Sequence, residues 1–125
     1  MFIEFGKNLP NGPIAERMLI RTDRIICIKE ELKDKGIVVI VKTNEPFYFE
    51  SEDYLSAKAK LAGDKNFIQV KTNNGRYLIN LNYIASVEDM SDLKDYKTEI
   101  HIEEFLKVYS LEDYDEIKKR ILQQL

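Results

Sequence analysis

The amino-acid sequence predicts an α+β fold: two tandem, diverged ββββα units of antiparallel strands, each closed by a short helix, packed as a pseudo-symmetric single domain over 1–125. Three observations predict it: self-similarity between residues 2–61 and 67–121, apolar alternation at the period of a strand, and a helical stripe closing each copy. Phe2-Ile3-Glu4-Phe5 lies over Phe67-Ile68-Gln69-Val70, and Arg17-Met18-Leu19-Ile20 over Arg76-Tyr77-Leu78-Ile79. Ile25 and Ile28 fall on Ile84 and Val87, and Ser51-Glu52-Asp53-Tyr54 on Leu111-Glu112-Asp113-Tyr114. The copies differ by a longer, turn-rich crossing, Gly6 to Pro13, in the first repeat unit (1–62) than in the second (63–125).

In the first copy, Met1–Phe5, Arg17–Thr22 and Arg24–Glu30 read as strands. Ile37 to Phe49 forms a fourth, whose β-branched Ile37-Val38-Val39-Ile40-Val41 run suits a strand covered on both faces. Asn44-Glu45-Pro46 interrupts that segment, because proline gives no N–H to a ladder. In the second copy, Phe67–Lys71 and Arg76–Leu81 flank Asn74-Gly75, a hairpin signal. Tyr83–Asp89 follows, and then Glu99–Tyr109, either one long strand or two broken near Glu103-Glu104. Ile100, Ile102, Leu106 and Val108 make its apolar face; Glu99, His101, Glu103 and Lys107 make its wet one.

Ser51 and Ser110 are expected to cap the closing helices, with Glu52-Asp53 and Glu112-Asp113 in the first turns. Tyr54, Ala57 and Leu61, and Tyr114, Ile117 and Ile121, make the stripes that face each core. Only about five residues, 62–66, join the copies and reach roughly 17 Å when extended, which favours one cooperative module.

Composition narrows the function classes. The net charge is −3, and residues 63–125 carry the whole acidic excess, so the chain offers no basic block to neutralise a phosphate backbone. Nucleic acid is disfavoured. No apolar run is long enough to span a membrane, and the first residues do not read as a leader. The single cysteine, Cys27, excludes an intramolecular disulfide and fits a reducing, cytoplasmic setting.

No constellation of catalytic residues emerges. The only histidine, His101, has no second imidazole and no nucleophile motif beside it, so it reads as a surface residue. Cys27 sits among Ile25, Ile26 and Ile28, where a thiol packs as a small hydrophobe. Asp89, Asp92 and Asp95 lack the ligand spacing of a calcium loop. The expectation is therefore no catalytic residue, no cofactor and no metal. The aromatic residues are the stronger candidates: Phe47, Tyr48, Phe105 and Tyr109 form the expected interaction patch, in part core and in part exposed.

Gly75-Arg76-Tyr77-Leu78-Ile79-Asn80, followed by Tyr83-Ile84 and Val87-Glu88, resembles the small bacterial flagellar-operon proteins of the FlbD type. The resemblance covers residues 67–121; in the first copy Arg21 replaces the asparagine. It implies a hairpin, a second hairpin and a closing helix, and no catalytic residue. LytTR-type DNA-binding domains carry a similar strand ending in asparagine. Together these readings point to a non-enzymatic protein-binding or assembly module, of the kind found among inhibitors, immunity factors and phage or mobile-element components, acting on a protein partner or on itself. A nucleic-acid-associated regulator and a small-ligand sensor are the alternatives.

Overall fold

The computed structural model describes residues 1–6, 17–32, 36–42, 46–49, 52–103 and 106–125. The chain divides into two units, Met1–Asp64 and Lys65–Leu125. The fold is α+β with antiparallel strands.

In the first unit, strands β1 (Phe2–Gly6) and β2 (Arg17–Arg21) pair with Ile3 opposite Ile20. A 3-10 turn, Thr22–Arg24, leads into β3 (Ile25–Glu30), β4 (Ile37–Val41) and β5 (Phe47–Phe49), with β4 between its two partners. Helix α1 (Tyr54–Lys60) closes the unit and packs on β3. Alternation decides what is buried: Ile37, Val39 and Val41 are covered, whereas Val38 and Ile40 on the opposite face are half-exposed. The β-branched run is thus buried on one face and only partly on the other.

The second unit repeats this order. A hairpin of β6 (Phe67–Thr72) and β7 (Gly75–Asn80), with Ile68 opposite Ile79, is followed by a 3-10 turn at Leu81–Tyr83. Then come β8 (Ile84–Asp89), β9 (Thr98–Ile102), β10 (Leu106–Ser110) and α2 (Tyr114–Gln123), with strand order β7-β6-β10-β9-β8. The final strand segment of each unit is two strands, so each unit has five strands before its helix among the described residues. Both ladders slip by one residue at the same place, between Ile25 and Cys27 and between Ile84 and Ser86.

The hairpin turn differs in detail from expectation. Thr72 pairs with Gly75, so Asn73 and Asn74 form the two-residue loop and Gly75, at φ 105°, opens the returning strand. Thr72 Oγ1 holds the turn, accepting from Asn74 N–H at 3.0 Å and donating to Gly75 C=O at 2.8 Å. The asparagine of the resemblance, Asn80, is buried. Its Oδ1 accepts from Asn82 N–H at 3.0 Å and caps the 3-10 turn, a bond that Arg21 does not make in the first unit.

Helix capping departs from the sequence reading. The N-caps are Asp53 and Asp113, not the serines. Asp53 Oδ1 accepts from Ser56 N–H at 2.7 Å; Ser51 lies outside the described residues. Ser110 belongs to β10, where its hydroxyl donates to Lys71 C=O at 2.9 Å and accepts from Glu112 N–H at 3.0 Å. A serine four residues before a helix answers a strand end here, because the backbone groups nearest to it are those of β6 and of the strand-to-helix connection.

One device ties each helix to its hairpin. In the first unit, Glu52 Oε1 accepts from Gly6 N–H at 2.7 Å and from Lys60 Nζ at 2.9 Å, and Lys60 also donates to Glu4 C=O at 2.8 Å. In the second, Glu112 accepts from Lys71 N–H at 2.9 Å and from both Nη atoms of Arg120, while Arg120 Nη1 donates to Gln69 C=O at 2.8 Å. Burial alone would raise the Glu112 carboxyl. The hydrogen bonds from Arg120 and from the Lys71 amide outweigh it and hold that carboxyl below its ordinary range.

Candidate functional site

The unusual surface of the first unit begins with three consecutive apolar residues in β2. A strand turns alternate side chains to opposite faces, so Met18-Leu19-Ile20 cannot all face the core. Ile20 is buried, Met18 half-buried and Leu19 67% exposed. Phe2, on the neighbouring strand and opposite Arg21, is 60% exposed. Both large side chains thus stand in water, at the mouth of a cleft of about 300 Å³.

Phe47, the first residue of β5 and paired with Val39, supplies a further apolar wall and is half-buried. Among the described residues, the charged lining is cationic: Arg21, Arg24 and Lys42. The 3-10 turn places Arg24, and Lys42 N–H donates to Arg24 C=O at 2.9 Å, which brings the two residues to one side of the cleft. Arg21 is bound to Asp23 at 2.8 Å in an exposed pair, whose attraction water largely screens. Like charges gathered at one apolar mouth raise the local potential, and a ligand with negative charge beside apolar groups lowers it.

Of the predicted aromatic patch, the first unit holds Phe47 and Tyr48. Phe47 lines the cleft; Tyr48, the next residue of the same strand, is half-buried and does not line it. Phe49 is fully buried, with its ring centroid 5.1 Å from that of Phe5. Tyr109 lies in the other unit, 44% exposed, with its ring centroid 4.7 Å from that of Tyr96. Phe105 lies outside the described residues. The sequence reading missed Phe2 and Leu19, although the unbroken Met18-Leu19-Ile20 run was a visible signal that one apolar side chain would be displaced to the wet face.

Other candidates fall where the chemistry is poor or different. Cys27 is fully buried, and burial pushes its thiol from 9.0 up to about 12, with Lys29 opposing slightly. Asp89, Asp92 and Asp95 are exposed and form no ligand cluster among the described residues. Glu99, expected on the wet face, is 8% exposed; His101 beside it is half-buried. Among the described residues, no helix is long and apolar enough to cross a membrane. No family model, curated protein or solved structure matches the chain.

Proposed function

We propose that the protein is a non-enzymatic binding module whose first unit takes an acidic, apolar segment of a protein partner in the cleft beside Leu19. The observation that carries this reading is the pairing of exposed Phe2 and Leu19 with Arg21, Arg24 and Lys42 along one cleft, where no carboxylate lines the wall among the described residues. Aromatic and aliphatic anchors in a pocket supply most of the affinity of such contacts, and rim charges supply orientation and rate. The buried, proton-retaining Cys27 supports a binding role over nucleophilic chemistry and fits a reducing compartment. The shared element order, ladder registers and helix tethers support descent of both units from one duplicated sequence.

Selection from a random peptide display library against the full chain tests the reading. Enriched peptides should combine Asp or Glu with aromatic or aliphatic residues, and Leu19→Asp should weaken them at least about tenfold, or about 1.4 kcal/mol. Leu19 is exposed, so that substitution spares the core. No enrichment over a display control, or peptides indifferent to Leu19→Asp, would refute it. Duplex DNA binding with a steep salt dependence would favour the nucleic-acid alternative instead.

A further inference from the structure

We propose that Glu88, Glu99 and His101 form a binding site for a divalent transition-metal ion of the zinc class, in the second unit and independent of the cleft. Strand alternation puts Glu99 and His101 on one face of β9. The ladder register sets Glu88 of β8 directly opposite Glu99, and Lys107 of β10 directly opposite His101. One imidazole and two carboxylates therefore converge, their ligand atoms all within 4.8 Å of one another.

Two features of this cluster go unanswered by the protein alone. Like charges directly opposite on a ladder are unfavourable, and Glu99 is almost wholly covered, which weakens the screening that would make the repulsion cheap. The second feature is His101 Nε2, which is sealed from solvent and has no hydrogen-bond partner among the described residues. Its nearest carboxylate oxygens, on Glu99 at 3.5 Å and Glu88 at 3.8 Å, stand beyond the length of a good N–H···O bond. If Nε2 carries the proton, the donor is wasted; if it carries the lone pair, that lone pair faces two anions. Lys107 Nζ, 3.7 Å from Glu99 Oε1, offsets part of the charge and leaves Nε2 unanswered.

A cation held among the three atoms resolves both. Tetrahedral ligands at bonds of about 2.0–2.1 Å sit about 3.3–3.4 Å from one another. The two imidazole-to-carboxylate distances need to close by a few tenths of an ångström to reach that, and the two carboxylates, within 4.8 Å of one another, by no more than about 1.5 Å, which a turn of the half-exposed Glu88 side chain supplies. Imidazole with carboxylate suits zinc and its neighbours, whereas magnesium and calcium prefer oxygen alone. Glu88 and Lys107 are about half-exposed, so one can adjust and the other swing aside, leaving a fourth position open to water. His101 is the chain's only histidine, so its imidazole signals are unambiguous in a spectrum.

Titration of Zn²⁺ into the full chain, by calorimetry and by NMR of the His101 ring with millimolar Mg²⁺ present, tests the site. The expected result is one equivalent bound with a dissociation constant in the micromolar range or tighter, shifted His101 resonances, and at least about a tenfold loss of affinity in both Glu88→Gln and His101→Ala. Glu88→Gln changes a half-exposed edge-strand residue without altering its size, so its loss of zinc binding with an unchanged circular dichroism spectrum is diagnostic. Absence of saturable binding, binding by either variant as tight as by the parent chain, or His101 resonances that Zn²⁺ does not move would each overturn the proposal.

Discussion

Glu112→Ala should destabilise the protein by about 2–3 kcal/mol, because one side chain answers three donors. Hydrogen bonds to a charged group contribute about 1.5–3 kcal/mol each when well shielded. Here the Glu112 side chain is 18% exposed and that of Arg120 33%, so water recovers part of what is lost and the sum falls well below the full total. Arg120→Ala also removes the bond to Gln69 C=O, and the double variant should cost less than the two single ones together, with a coupling of about 1–2 kcal/mol. Urea unfolding at pH 7, followed by circular dichroism, reads all four corners of the cycle. The effect has a pH signature. The folded carboxyl is held below its ordinary 4.5, so its contribution is complete above that value and disappears as pH falls through the lower folded value. The cost of Glu112→Ala should shrink with it. Additive single variants, or a cost that does not change on acidification, would refute the tether as described.

Further expectations follow from other residues. Phe5 is fully buried against Phe49, with Lys60 Nζ 4.9 Å from its ring centre, and Phe5→Ala should cost about 3–5 kcal/mol in the same unfolding assay. Gly75→Ala places a side chain at φ 105° and should cost about 1–2 kcal/mol, read as a lowered thermal midpoint. Cys27 should resist Ellman's reagent at pH 8 until the protein unfolds. Because its folded value lies above its unfolded 9.0, its contribution to stability is intact below pH 9 and is lost as pH rises toward about 12, which alkaline unfolding of Cys27→Ala against the parent chain measures.

Periodicity and turn chemistry made much of the fold legible in the sequence. Alternation marked Ile100, Ile102 and Val108 as buried, and helical spacing marked Tyr54, Ala57 and Leu61. These signals are local: they depend on which way a side chain points relative to its own backbone, and that is set by strand or helix geometry. The same logic located the hairpin near Asn74 and left its loop misplaced by one residue, since the pairing of Thr72 with Gly75 depends on the partner strand. The serine caps were misread for a related reason. A serine before an acidic turn has the composition of a cap, but the Ser110 hydroxyl reaches a carbonyl of β6, 39 residues away in the chain.

Register across strands is where the sequence by itself fell silent. Nothing in the order of residues says that Glu88 faces Glu99, because that pairing follows from the one-residue slip between Ile84 and Ser86 and from the length of the connection between β8 and β9. Read alone, His101 had only the Glu99 carboxylate on its own strand face; the assembled ladder brings Glu88 to it. The cleft is similar: Phe2, Leu19, Arg24 and Phe47 come from separate segments that share a surface only when the hairpin and the meander of the first unit are folded. Sequence determined which residues are apolar, which are charged and which face of each element they occupy. Tertiary structure decided which of those faces meet, because contacts between distant segments are set by register and packing, which leave no periodic trace in the chain.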